Sequence, residues 1–390
     1  MVEIRSYPAK NGDAFLLKAT DSSFAMLVDG GYADTFQQYI KADLKSLAAS
    51  GRVLSVVVAT HVDADHISGL LSFFRSNGRA DAPAIIPVRE VLHNSLRSLA
   101  APPRSPTSLT SEDLTLLREI RRRGYPPPIL PTDSIQEISA RQGSSLAEFL
   151  RAGGYRWNTR DGTLAASGDK LNALRLPNVR LGILGPSRLR LDALKKWWIS
   201  GIRRFGVTGS LEGLDDVFEF LCAHEVADPG VHALASSDGE LADVYFPDDS
   251  ITNGSSISFL LEIGGLRLLF LGDAWAEDIV TALKNDGPTV FDAIKIAHHG
   301  SARNTSPELL GLVDSPHFFI PTNGEGYQHP DFAVLKAIVD RPATFRRTLH
   351  FNYSTPASRR LRTYHSKAGA DFVVEEGQTN WVKLSGQNTP

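Results

Sequence analysis

The sequence predicts a layered α/β fold, and three segments carry that prediction. Val53-Leu54-Ser55-Val56-Val57-Val58-Ala59 is an apolar, β-branched run that reads as a buried strand, and Thr60-His61-Val62-Asp63-Ala64-Asp65-His66 follows it. Leu266 to Leu271 forms a second apolar run and ends in Gly272-Asp273-Ala274. Phe291-Asp292-Ala293-Ile294-Lys295-Ile296-Ala297 forms a third and ends in His298-His299-Gly300-Ser301. Each run delivers ligand-type side chains at its carboxyl end, where layered α/β folds collect ligands.

The remaining elements follow in order. Residues 2–31 read as strands joined by tight turns. Thr35 to Ala49 has Phe36, Tyr39, Ile40, Leu44 and Leu47 near helical spacing, the pattern of an amphipathic helix. A further helix follows the first ligand turn, with Leu70, Leu71, Phe73 and Phe74. From about 80 to 170 the character changes. Ala101-Pro102-Pro103-Arg104 and Pro126-Pro127-Pro128 break the chain, and Ser, Thr and Arg accumulate. This stretch reads as a largely helical insertion in a single domain spanning 1–390. Val179 to Leu184 is strand-like, Gly185-Pro186 breaks it, and Leu189 to Trp198 is helical. Residues of about 200–250 read as a loop-rich elaboration. Gly264-Gly265 makes a hairpin turn after Ser258 to Glu262, and strand–helix–strand order runs on to about 340. No repeat of 20–50 residues is seen.

Composition sets bounds. A 42% hydrophobic content is ample for a core, and a net charge of −3 with a pI near 6.4 excludes a globally basic nucleic-acid binder. The single cysteine, Cys222, excludes an intramolecular disulfide framework and a Cys-rich zinc module, and reads as a buried apolar residue. No apolar segment reaches membrane-spanning length, and Met1-Val2-Glu3-Ile4-Arg5 begins a strand pattern without a signal-peptide run. The expectation is a soluble, cytoplasmic protein without a membrane partner. Two basic features have structural readings. The arginines of Arg118-Glu119-Ile120-Arg121-Arg122-Arg123-Gly124 could touch phosphates, but they read first as a helix C-terminus, with cations opposing the dipole and Gly after them. Lys195-Lys196-Trp197-Trp198 with Arg203-Arg204 is balanced between a nucleic-acid patch and a partly core helix.

The first turn packs two imidazoles and two carboxylates into the six residues from His61 to His66. Burying them unpaired costs about several kcal/mol each, and a divalent cation relieves that cost. The bland alternative is a solvated loop in which Asp63 or Asp65 caps the next helix. Clustered ligand spacing is the stronger signal.

These motifs resemble the metallo-β-lactamase-fold hydrolases. The family's usual first motif is His-x-His-x-Asp-His, and here Asp63 stands in place of the second His. That variant, with the His-His-Gly-Ser ending, resembles the hydrolase domain of the ComEC-type DNA-uptake proteins and their stand-alone relatives. Asn11-Gly12-Asp13-Ala14-Phe15-Leu16-Leu17, Ala25-Met26-Leu27-Val28-Asp29-Gly30-Gly31, and Asn323 to Pro330 with Tyr327 also fit, as does a β-rich tail near Trp381-Val382-Lys383-Leu384. The resemblance covers roughly residues 1–75 and 175–385. It implies an αβ/βα four-layer sandwich whose two sheets come from the two halves of the chain.

The resemblance also implies a site. His61 and Asp63 would ligate one divalent ion, Asp65 and His66 the second, and Asp273 both. His298 or His299 would complete the second ion. Two ions about 3.5–4 Å apart would hold a hydroxide between them, which Asp65 would help orient. Asp29 would stand behind the ligands and orient a His. The family's third-motif His is missing from Asp249 to Ser256, where Asn253 is the candidate weak oxygen ligand. The oxygen-rich set shifts preference from zinc toward manganese, with magnesium as a further candidate. His329 is the best additional histidine, as a ligand or as a proton donor to a leaving oxygen. His93, His224, His232, His317, His350 and His365 read as surface or helix-face residues.

The leading expectation is therefore a dinuclear metal-dependent hydrolase, and specifically a phosphodiesterase or nuclease with a phosphodiester or nucleic-acid substrate. A small-molecule lactonase or thioesterase is the alternative, and a non-catalytic scaffold the third reading. Substrate-binding residues and oligomeric state are not legible.

Overall fold

A computed structural model describes residues 1–99, 115, 145–169, 173–176, 178–204, 218, 219, 222, 239–325 and 328–385. Arg118, Arg121, Arg122, Arg123, His224, His232 and Tyr327, and about half of the expected insertion, lie outside the described residues.

The main strands are β1 (Val2–Ser6), β2 (Phe15–Ala19), β3 (Ala25–Val28), β4 (Val56–Val58), β5 (Val91–Leu92), β6 (Ala173–Leu176), β7 (Val179–Gly185), β8 (Ser258–Ile263), β9 (Leu266–Phe270), β10 (Ala293–Lys295), β11 (His317–Phe319), β12 (Arg347–His350), β13 (Phe372–Glu375) and β14 (Val382–Leu384). One sheet has the order β14-β1-β2-β3-β4-β5, and the other β13-β12-β11-β10-β9-β8-β7-β6. Strands β3, β4 and β5 run parallel, as do β9, β10, β11, β12 and β13. Parallel neighbours bring successive carboxyl ends to one edge, and the ligand turns sit on those ends.

Period-two patterning builds the layers. On β2, Phe15 and Leu17 enter the cluster between the sheets, while Leu16 turns to the outer face. Met26, Val28, Val56 and Val58 likewise point inward, and Leu27 and Val57 outward. Leu266, Leu268 and Phe270 of β9 meet them from the second sheet, with Phe15 edge-on to Phe270 at 5.6 Å. Each outer face is covered by helices, including α1 (Lys41–Ala49), α2 (Ala64–Asn77), α3 (Leu146–Gly153) and α4 (Arg188–Arg204) on the first sheet, and α5 (Ala276–Leu283) and α6 (Phe332–Val339) on the second. The result is a four-layer α/β sandwich.

Some elements differ from the sequence reading and others follow it. The helix expected over 35–49 begins as a π turn, Phe36–Ile40, before α1. Gly264 and Gly265 both take positive φ, as the hairpin between β8 and β9 requires. Val91–Leu92 pairs with Val57 and Val58, so the start of the stretch expected as an insertion supplies an edge strand of the first sheet. His93 and His350 are buried, not on the surface. His93 contacts Glu219 at 2.8 Å, and His350 stacks on Phe319 and meets His317 at 3.0 Å. A partner and an aromatic face offset the desolvation of each imidazole. Trp198 and Cys222 are core residues, and Trp197 packs partly against the same cluster. Among the described residues, no helix is long and apolar enough to cross a membrane.

Candidate metal centre

Three turns converge on Oδ2 of Asp273. Nε2 of His66 lies 3.4 Å from it, Nε2 of His299 3.7 Å, Nε2 of His298 3.8 Å and Nε2 of His61 3.9 Å. The opposite nitrogen of each ring is engaged elsewhere. Nδ1 of His66 meets Oδ2 of Asp29 at 2.9 Å, and Nδ1 of His61 meets Oγ1 of Thr60 at 3.1 Å. Nδ1 of His298 meets Oδ1 of Asn304 at 2.8 Å, and Nδ1 of His299 meets the Pro321 carbonyl at 2.8 Å. Four rings thus present Nε2 to one carboxylate oxygen, with orientations set from behind.

Local sequence explains how the turns form. After β4, Thr60 donates to Asp29 from its backbone N–H and from its hydroxyl, both at 2.7 Å. Asp63 occupies the N-cap position of α2, yet its carboxylate makes no capping bond. It stands 3.4 Å from Nε2 of His61 instead, which removes the capped-loop alternative for this residue. His298 and His299 both take positive φ, 43° and 54°. Non-glycine residues in that region carry strain, which persists where surrounding structure enforces it. Here it lets adjacent imidazoles face the same carboxylate.

The donor set fits divalent cations. Nε2 of His61, Nε2 of His66 and Oδ1 of Asp63 are buried without a hydrogen-bond partner, a costly state for polar atoms. Ligand atoms of His61, His66 and Asp273 lie within 4.8 Å of one another, as do those of Asp65, His66 and His299. Asp13, Asp29 and His66 also approach this closely, but their carboxylates already serve Lys295, His299, Thr60 and His66.

Electrostatics follow from burial and neighbours. Burial pushes Asp273 up, but His66, Lys295, His298 and His299 outweigh it and hold the carboxyl well below its ordinary range. Asp13 is held at about 2 against burial, by Lys295 and His299. Burial drives Asp65 up and His298 down to about 4. His66 is raised despite burial, by Asp273 and Asp29.

Asn253 is placed behind His298. Its Nδ2 donates to Asp248 at 2.8 Å and lies 3.4 Å from Nδ1 of His298, while Thr252 donates to Asp63 at 3.3 Å. His329 stands at the rim, with ring centroids 5.1 Å from His298 and its side chain partly exposed. Both His298 and His299 reach Asp273, so the pair does not divide into one site residue and one bystander.

Five residues around the site escaped the sequence reading of its chemistry. Asn11 donates to Asp65 at 3.1 Å. Asn304 donates to Asp248 at 2.9 Å and accepts from His298. Asp13 and Lys295 form a buried ion pair beneath Asp273. Lys295 was detectable in principle, because a lone cation within an apolar strand demands a buried partner.

Residues 7–199 match the family model of the metallo-beta-lactamase superfamily, just under half of the chain. The α/β sandwich is consistent with the fold of that superfamily, whose domains are mostly metal-dependent hydrolases, and the His and Asp clusters could hold a metal ion. Asp273, His298 and His299 lie beyond the matched residues, and the second sheet brings them to His61 and His66. A comparison with curated proteins gives no match.

Proposed function

We propose that this chain is a dinuclear metal-dependent phosphodiesterase, related to the hydrolase domains of ComEC-type proteins. The observation that carries the reading is the ring of four Nε2 atoms around Oδ2 of Asp273, with Asp63 beside His61 and Asp65 beside His66. His61 and Asp63 would hold one ion, Asp65, His66 and His299 the other, and Asp273 both, with His298 as a further ligand. Bound ions lower the pKa of water and offset charge on phosphoryl oxygens. The oxygen-rich donor set favours manganese, with zinc and magnesium as competitors.

The chain's own residues supply orientation and proton movement. Asn11 holds one oxygen of Asp65, leaving the other 4.0 Å from Nε2 of His66. On this reading Asp65 orients the attacking water and accepts its proton. A new oxygen–phosphorus bond forms as the bond to the leaving oxygen breaks, and His329 at the rim delivers a proton to that oxygen. Nucleic acid is the proposed substrate class at its most specific. Its support is the motif resemblance together with the arginines at 118–123.

The test compares hydrolysis of bis-p-nitrophenyl phosphate with that of a lactone and a thioester, each with and without manganese. Phosphodiester cleavage stimulated by manganese is expected to dominate. Asp273→Ala should lower it by about 100-fold or more, the scale of losing a central electrostatic group, while circular dichroism stays unchanged. Lactone or thioester cleavage without phosphodiester cleavage would favour the small-molecule reading. Turnover untouched in Asp273→Ala would remove the site assignment.

A further inference from the structure

Lys295 is buried beneath the ligand turns, and it belongs to none of the ligand motifs. It lies on β10, three residues before His298. An ammonium group has three N–H donors, and Lys295 meets three acceptors. These are Oδ2 of Asp13, the Gly272 carbonyl at 2.8 Å and Oδ1 of Asp273 at a longer 3.4 Å.

Each acceptor leads to a ligand turn. The Gly272 carbonyl also accepts from the backbone N–H of His298 at 3.0 Å, so Lys295 ties the Asp273 turn to the His298-His299 turn. Asp13 places its other oxygen 3.2 Å from Nδ1 of His299. Asp273 itself is divided: Oδ1 faces Lys295, while Oδ2 faces the four Nε2 atoms. A carboxylate free to rotate would offer either or both oxygens to a single ion.

We infer that Lys295 is a positioning residue for the metal centre, holding Oδ1 of Asp273 and the Gly272 carbonyl so that Oδ2 alone is presented to both ion positions. The inference rests on the reading of Asp273 as a ligand shared by two ions. It differs in direction from simple electrostatics. Removing a cation beside two dications should tighten ion binding if charge alone mattered. Losing the positioning contact weakens it.

The experiment loads metal-free full-length protein with Co²⁺. Bound metal is counted by mass spectrometry, affinity is measured by titration, and coordination is read from the visible d–d absorption. The wild type should take up two ions. Lys295→Met should weaken the second by about 10–100-fold, the usual consequence of removing a group that orients a ligand. Its d–d bands should shift as Asp273 changes its mode of binding. Lys336→Met removes a second buried lysine, whose partners include the Gly239 carbonyl and Glu240, and should retain both ions. If Lys295→Met does not fold, the double variant Lys295→Met/Asp13→Asn removes both buried charges and is read in the same way. Two ions bound by the lysine variant with unchanged affinity and spectrum would overturn the inference. So would equal loss of the second ion in Lys336→Met. A wild type that takes up no Co²⁺ would instead defeat the metal reading on which the inference rests.

Discussion

Gly69 and Gly30 touch backbone to backbone. A Cβ on Gly69 would lie 1.9 Å from the Gly30 oxygen, and one on Gly30 would lie 2.5 Å from the Leu70 nitrogen. The Gly30 N–H donates to the His66 carbonyl and the Gly69 N–H to the Gly31 carbonyl, both at 2.8 Å. The helix carrying His66 is therefore seated directly on the turn carrying Asp29.

Gly69→Ala should break that seating. The new methyl meets backbone rather than a flexible side chain, so the expected loss is at the upper end of overpacking costs, about 3 kcal/mol. Denaturant unfolding reads it. Gly201→Ala is the contrasting case, because it lies in α4 with nothing within 4 Å of an added Cβ. It should gain about 0.4–1 kcal/mol. Equal stability of the two variants would show that the close approach is not a constraint.

Asp29 is buried and bonded to His66 and to both donors of Thr60. Asp29→Ala should leave the His66 ring without its orienting partner and weaken metal binding by about 10–100-fold. Calorimetric titration with manganese measures this directly. A variant that binds as tightly as the wild type would show that Asp29 shapes only the fold.

His350 provides a pH prediction away from the metal centre. Burial, with His317 adding like-charge repulsion, pushes its imidazole down to about 3. Glu375 lies 2.9 Å from Nδ1, but outside hydrogen-bonding geometry and with a side chain 43% exposed, so solvent screens its pull. The folded pKa is below the unfolded value near 6.5, so the unfolded chain binds the proton more readily. The contribution of the neutral ring is complete above about pH 6.5 and is lost as pH falls toward 3. Replacing His350 with Gln should flatten the acid side of a stability–pH profile measured by denaturant unfolding. An unchanged slope between pH 6.5 and 4 would contradict this.

Much of the site was legible because its chemistry is local. His61, Asp63, Asp65 and His66 share one turn, and the apolar run before them marks it as a strand end. Asp273 and the His298-His299 pair carried the same signature. Asn304 and Asn11 were not legible, because a single amide in a polar loop resembles any surface residue. His93 and His350 were misread for the same reason, since burial depends on partners such as Glu219 and Phe319 that are distant in sequence.

By itself the sequence determined the strand ends, the ligand types on them and the alternation that makes each strand two-faced, because these depend on neighbours within a few residues. Tertiary structure alone decided that both histidines of the 298–299 pair reach Asp273, and that Asp63 turns to His61 instead of capping its helix. It also decided that Lys295 comes to lie under the carboxylate they share. The histidine pair and Lys295 reach Asp273 because β9 and β10 lie side by side in one sheet, and Asp273 meets His61, far away in sequence, because the two sheets stack; no local pattern encodes either.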